Sequence, residues 1–347
     1  MTSTTLPSTI IADLPKAELH LHLEGSIRPE TAVELAARHG TKLTTGEVVA
    51  RYSYRDFAGF IDVFKWITSF LREPDDYALI TRRLFEELLR QNVVYAEITI
   101  SAGVMLRRMQ NVEANFAAIV ETSRIVSFNR LRVAWIFDAV RQFGTTAANE
   151  VARLAVQLHN SGVIAFGMGG DELSAPAANF RPAFDLARSQ GLRIVCHAGE
   201  IGGPESVREA VEILGAERIG HGIAVMNDPA LAESLATRGV VLENCPSSNL
   251  CTGALAKQIG KPTASLADHP LRQFLERGLA TTLSTDDPAL FHTDLLTEYS
   301  RAASLGLSDK QLLQLAEQSF HAAFLPPLDK RKYLEDFSNA AKTRGLL

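Results

Sequence analysis

The stretch Ala17-Glu-Leu-His-Leu-His-Leu-Glu24 alternates leucine with polar residues at a period of two. That is the repeat of a β-strand, whose successive side chains point to opposite faces. The run is short and leads through Gly25 into a long segment with helical spacing. The same order, a short β-rich run followed by an amphipathic stretch, recurs to the end of the chain. Strands are expected at 17–24, 93–101, 132–140, 162–169, 192–198, 217–223, 240–244 and 279–284, with helical patterns such as 112–130, 146–160 and 204–215 between them. Strand alternating with helix implies a parallel sheet. Eight repeats fit an α/β fold closed as a (β/α)8 TIM barrel better than an open doubly wound sheet.

The composition agrees. With 347 residues, 46% hydrophobic and 22% charged, the chain has the apolar material for a large core, and α/β barrels use this length in one domain. Residues 1–347 therefore read as a single barrel domain. A net charge of -5 argues against nucleic acid, whose binders cluster Lys and Arg. Arg82-Arg83, Arg107-Arg108 and Lys330-Arg331-Lys332 read as solvated helix faces. Cys196, Cys245 and Cys251 form neither an even disulfide set nor a Cys-x-x-Cys pair, so reduced, buried thiols are expected. Residues 1–13 lack a basic leader and no apolar run of about 18 residues occurs, so the expected location is the cytoplasm, away from membranes.

Two connections exceed what a β-to-α unit needs. Residues 25–92 form a helical insertion after the first strand, read as about three helices, one of them at 57–71 with Phe57, Phe60, Ile61 and Phe64 on one face. That stripe reads first as core packing, with a lid role left open. Residues 245–265 read as a Pro/Ser/Gly loop, and residues 293–347 as two or three extra C-terminal helices.

Barrel enzymes gather their reacting groups at the C-terminal ends of the strands. Here such ends carry Glu18-Leu-His20-Leu-His22-Leu-Glu24, Gly169-Gly170-Asp171-Glu172, His197-Ala-Gly-Glu200, Gly220-His221-Gly222, Glu243-Asn-Cys-Pro-Ser-Ser-Asn249 and Ser284-Thr-Asp286-Asp287-Pro288. His20 and His22 lie two apart and share a face, and two imidazoles in a dry interior suit zinc. The alternative is a pair of barrel-lining histidines satisfied by hydrogen bonds. His197 and Asp286 are the natural third and fourth ligands, because the eighth strand closes against the first. A buried Asp without a cation is costly. Binuclear barrel hydrolases bridge two metals with a carboxylated lysine on a middle strand, but no lysine occurs between Lys65 and Lys257. One metal per chain is therefore expected. Glu200 is placed to reach a substrate nitrogen, His221 to orient and deprotonate the metal's water, and Asp287 to bond substrate.

These stretches, with Pro15-Lys-Ala-Glu-Leu-His-Leu-His-Leu-Glu-Gly25 and Arg218-Ile-Gly-His-Gly222, closely resemble the adenosine deaminase family in both order and spacing. The resemblance implies one Zn2+ on His20, His22, His197 and Asp286. It further implies Glu200 as proton donor to purine N1, His221 on the attacking water, Asp287 at N7 and the Gly170 backbone at N3. The implied reaction is hydrolytic loss of the 6-amino group from a small-molecule purine, adenosine or 2′-deoxyadenosine giving inosine-type product and ammonia.

One departure bears on substrate. Adenosine deaminases usually carry His-Leu-Asp-Gly where this chain has His22-Leu-Glu24-Gly25, the Asp contacting the ribose 5′ region. Glu24, expected at the substrate, looks more like the adenine deaminases and equally suits a nucleoside altered at its 5′ position, such as aminodeoxyfutalosine of one menaquinone route. Ala96-Glu-Ile-Thr-Ile-Ser-Ala-Gly103 also lacks the usual Arg-x-Ser-Pro. Against free adenine, Arg218-Ile-Gly-His-Gly222 and Thr252-Gly-Ala254 look like the nucleoside enzymes. Cytidine-type zinc deaminases need Pro-Cys-x-x-Cys, which Cys245 and Cys251, six apart, do not supply. A non-catalytic binding protein on a decayed barrel would have lost a ligand or a proton carrier, and none is missing.

Overall fold

In a computed structural model that describes residues 10–347, eight parallel strands hydrogen-bond in sequence order. They are β1 (Lys16–His22), β2 (Val93–Ile100), β3 (Arg132–Val140), β4 (Val163–Gly169), β5 (Arg193–Ala198), β6 (Arg218–His221), β7 (Val241–Asn244) and β8 (Thr281–Leu283). A bridge between Leu21 and Asp286 closes β8 onto β1, with His22 N donating to Asp286 O at 2.8 Å and Asp286 N to His20 O at 3.0 Å. The expected barrel is the fold. No helix among the described residues is long and apolar enough to cross a membrane; residues 1–9 of the segment read for a leader lie outside the described residues.

The insertion, expected to carry about three helices, holds four: α1 (Pro29–Arg38), α2 (Thr45–Arg51), α3 (Phe57–Thr68) and α4 (Pro74–Arg90). The extra one, α2, begins at a capping box between Thr44 and Glu47, a reciprocal pairing that starts short helices. Around the barrel run α5 (Ala102–Arg107), α6 (Val112–Ser127), α7 (Gly144–Gln157), α8 (Arg181–Ser189), α9 (Pro204–Glu212) and α10 (Pro229–Arg238). The pattern expected to reach residue 130 stops at Ser127, because Phe128 and Asn129 turn left-handed at φ 47° and 58°.

After β7 the expected loop is instead two short helices, α11 (Pro246–Cys251) and α12 (Ala254–Gln258), followed by α13 (Leu271–Glu276). Pro246 stands at the first helical position, where its fixed φ and missing N–H cost nothing. The Ser247 backbone N–H beside it is taken by the buried carboxylate of Glu298. Gly253, at φ 71°, makes the left-handed break between the two. Three helices, α14 (Leu295–Ser304), α15 (Asp309–Ala322) and α16 (Pro327–Thr343), complete the chain.

Leu19, Leu21 and Leu23 are buried with the outer hydrophobic core, leaving the intervening histidines to face the barrel axis. The strand at 17–24 ends at His22, so Glu24 sits in a 3-10 turn, Glu24–Ser26. The stripe on α3 is also more than core packing. Phe57, Phe60, Ile61 and Phe64 wall one side of a cavity over the C-terminal strand ends.

Candidate active site

The cavity floor is His22, Ser101, Asp138, Gly169, Gly170, His197, Glu200, His221, Asp286 and Asp287, from the last residues of the strands or just beyond them. One nitrogen each from His20, His197 and His221 and one oxygen of Asp286 lie within 4.8 Å of one another. The structure thus brings together three of the four nominated ligands and adds His221. His22 approaches from the other side, its Nδ1 2.8 Å from Asp286 Oδ1 and 3.3 Å from Asp287 Oδ2, in a separate group with those two aspartates. Its ring lies 5.2 Å from that of His197 and 5.3 Å from that of His20. His221 and Asp286 both hold left-handed backbones, at φ 64° and 66°, a strained state for residues other than glycine that concentrates at functional sites.

The donor chemistry fits a cation. His20 Nδ1 lies 2.8 Å from Glu243 Oε2. Burial opposes ionisation of Glu243, but Arg218 and His20 hold its pKa below the usual range. A carboxylate accepts, so His20 carries its proton on Nδ1. The bare Nε2 then faces Asp286 Oδ1 at 3.3 Å, and both atoms are buried without a hydrogen-bond partner. Two lone pairs so placed call for a positive charge between them. Burial lowers the pKa of His20, yet the neighbouring carboxylates of Asp286 and Glu243 outweigh it and push the ring up to about 9; the site draws in a proton where a metal would serve. Gly220 underlies this ring, since a Cβ there would stand 2.4 Å from His20 Cε1.

Glu200 is buried, and burial, then the charge of Asp286, raises its pKa well above the carboxylate range. That shift favours its protonated form. Its loop is clamped from two directions. The Glu172 carboxylate accepts from Gly199 N at 2.7 Å, Glu200 N at 2.9 Å, Ile201 N at 2.8 Å and Ser206 Oγ at 2.7 Å. From α12, Gln258 Nε2 donates to Glu200 O at 2.8 Å and Gly202 O at 2.7 Å. Burial also raises Asp287, to about 6, against the pull of His22, and Asp287 Oδ1 is unpartnered. Gly170 stands at the cavity edge at φ 89°, where a Cβ would meet Gln142 Oε1 at 2.3 Å.

Glu24 does not line the cavity. Its Oε1 accepts from Ser101 N at 3.0 Å, and Ser101 is the lining residue; Oε2 is buried and unpartnered. Sequence reasoning passed over Asp138, Glu243 as the partner of His20, and the clamp made by Glu172. Asp138 had a signal, being the lone acid in the apolar strand β3.

Residues 15–340 match the adenosine deaminase family. The chain belongs to that family. An aminodeoxyfutalosine deaminase of Streptomyces avermitilis is 40% identical over 332 residues, 93% of this chain and 90% of that protein. Among solved structures, adenine deaminase from Arthrobacter aurescens superposes with TM-score 0.88 at 28% identity, covering 95% of this chain and 99% of that one. An amidohydrolase from Burkholderia ambifaria with bound Zn superposes with TM-score 0.85 at 25% identity, covering 98% and 96%. This member of the family is a hydrolytic deaminase of adenine-type substrates.

Proposed function

We propose that this deaminase removes the 6-amino group of an adenine-containing nucleoside extended at its 5′ position, aminodeoxyfutalosine before adenosine or 2′-deoxyadenosine. The observation that carries the chemistry is the convergence of a buried Glu200, whose burial favours its protonated form, with the unpartnered pair His20 Nε2 and Asp286 Oδ1 at the strand ends. The observations that favour a 5′ extension are the withdrawal of Glu24 behind Ser101, which takes its carboxylate away from a 5′-hydroxyl, the aromatic wall from α3 over the cavity and the 40% identical relative.

In this reading one zinc is held by His20, His22, His197 and Asp286, and when bound it supplies Lewis-acid activation of water near neutral pH. Glu200 donates its proton to purine N1 while the water oxygen adds at C6. Of the two water protons one passes to the 6-amino group, whose C6–N bond breaks to release ammonia. The other restores Glu200, leaving the ring as an N1–H amide. Asp287 holds N7 and the Gly170 backbone N–H holds N3, which keeps the ring flat against the strand ends. Closure by α3 excludes bulk water, so the charges that develop at N1 and at the new oxygen meet fixed dipoles.

Deamination of aminodeoxyfutalosine, adenosine, 2′-deoxyadenosine and adenine, followed by ammonia release, tests this. The expected order puts the 5′-extended nucleoside ahead of adenosine in kcat/KM by about 100-fold, the scale on which apolar pockets discriminate. A higher kcat/KM on adenine, the substrate named for the Arthrobacter neighbour, would replace this reading with the free-base one.

A further inference from the structure

Behind His221 three buried side chains carry a hydrogen-bond order that has one solution. Leu271 N lies 3.2 Å from His269 Nδ1. A backbone amide can only donate, so Nδ1 of His269 is bare and its proton is on Nε2. That Nε2 is 3.2 Å from Asn249 Oδ1, which accepts it. The same side-chain amide then turns Nδ2 toward His221 Nδ1 at 3.1 Å. An amide nitrogen has no lone pair to offer, so it donates and His221 Nδ1 is bare in turn. Rotating the Asn249 amide by half a turn would set its NH2 against the His269 N–H, so the assignment follows from the network. A doubly protonated His221 would likewise set N–H against N–H.

The remaining proton of His221 is therefore on Nε2, which is buried and has no partner in the protein. Its nearest carboxylate oxygens, Glu200 Oε2 and Asp286 Oδ2, each lie 3.7 Å away, beyond hydrogen-bond length. A buried N–H aimed into a cavity without an acceptor awaits one from the ligand.

We infer that Asn249 and His269 are positioning residues that lock His221 as its Nε2–H tautomer, so that His221 serves as a hydrogen-bond donor to the oxygen added at C6. Two consequences follow. His221 has no lone pair at Nε2 for a cation, although the residue belongs to the four-donor cluster; the cation falls to His20, His197 and Asp286, with His22 left to complete the set. Nor can it take a proton from water, the role expected of it from the motif. The identity of the accepted oxygen rests on the proposed deamination, whereas the tautomer does not.

Histidine-selective 15N labelling of the zinc-loaded protein reads this lock directly through imidazole 15N–1H correlation, His221 being assigned by its loss in His221→Gln. The wild-type chain is expected to show a bare Nδ1 and a protonated Nε2 at His221. Asn249→Leu keeps the bulk and removes the amide; it should leave both tautomers visible. It should also lower kcat by up to the 10²–10³-fold, roughly, that removal of one oxyanion donor costs, with KM within about threefold. A protonated Nδ1 in the wild-type chain overturns the lock, and so does Asn249→Leu with kcat within twofold. The spectra stand apart from turnover. A wild-type chain inactive on every adenine-type substrate sinks the proposed function, whereas a protonated Nδ1 in a chain that turns over sinks this inference alone.

Discussion

At the N-terminal end of the barrel Arg218 sits between two carboxylates, Nη2 2.5 Å from Glu97 Oε2 and Nε 2.6 Å from Glu243 Oε1. Tyr95 and the Phe324 backbone both donate to the other oxygen of Glu97, at 2.9 and 2.6 Å, and the Phe324 ring lies 3.8 Å under the guanidinium. At the C-terminal end, equally buried, His20, His22, His221, Asp286 and Asp287 each keep an atom without a partner. Both layers are dense in charge. The lower one sets a guanidinium between two carboxylates, with Arg218 Nε and Glu243 Oε1 paired by charge outside hydrogen-bond geometry, while the upper one gathers histidine nitrogens and carboxylate oxygens around the cavity for what the protein binds. Glu243 belongs to both, one oxygen on Arg218 and the other on His20, so the lower layer orients His20 in the upper one.

If that contrast is right, emptying the upper layer should abolish turnover without undoing the barrel. Dialysis against a chelator is expected to bring deaminase activity to background and stoichiometric zinc to restore it. Metal analysis of the active protein should return one equivalent per chain. Two equivalents, or none in an active preparation, would contradict the proposed site. Next in size, Glu200→Gln should keep metal and substrate binding but lose kcat by about 10²–10⁴-fold, since the amide keeps the shape and cannot deliver the proton. Turnover within tenfold of wild type would take Glu200 out of the proton-donor role.

The lower layer should respond in the opposite way. Arg218→Met strands Glu97 and Glu243 as buried charges, and breaking such a pair costs about 3–5 kcal/mol. Denaturant unfolding should show that loss, and at temperatures where the variant remains folded the residual activity should fall mainly through His20, whose partner Glu243 is freed. A variant with unchanged stability would erase the distinction between the two ends.

How much of this was readable beforehand divides along similar lines. The alternation of strand and helix, and the polar clusters at six strand ends, depend on local spacing, so Ala17-Glu-Leu-His-Leu-His-Leu-Glu24 and its counterparts announced both the barrel and most of the floor. What stayed hidden depends on partners remote in sequence or on backbone atoms. Glu172 stood in a recognised cluster, but its work is to collect the amides of Gly199, Glu200 and Ile201, and amides leave no mark in a residue pattern. Asn249 reaches His221 only because residues 246–251 coil into α11; read as a loop, that segment hid the chain of contacts to His269. Glu24 was expected at the substrate because the strand was drawn through it, and the turn after His22 carries it behind Ser101 instead.

The smallest expected effect tests that last displacement. Glu24 reaches Ser101 N through its full length, and aspartate, one methylene shorter, should lose the bond. Ser101 lines the cavity, so its loosening should raise KM for the 5′-extended nucleoside by up to about tenfold, one hydrogen bond's worth, and leave kcat within about twofold because nothing near C6 moves. On the wild-type chain the same geometry predicts that adenosine and 5′-deoxyadenosine share a similar kcat/KM, since the Glu24 carboxylate is spent on Ser101 and its free oxygen is sealed from the cavity. A site built to bond a hydroxyl rejects ligands lacking it by about 10⁴-fold or more, because its buried polar group is stranded. A ratio of that size in favour of adenosine would show Glu24 or a neighbour gripping the 5′-hydroxyl. It would return the substrate to plain adenosine and place an open polar group on the ribose side, where this structure has a closed one.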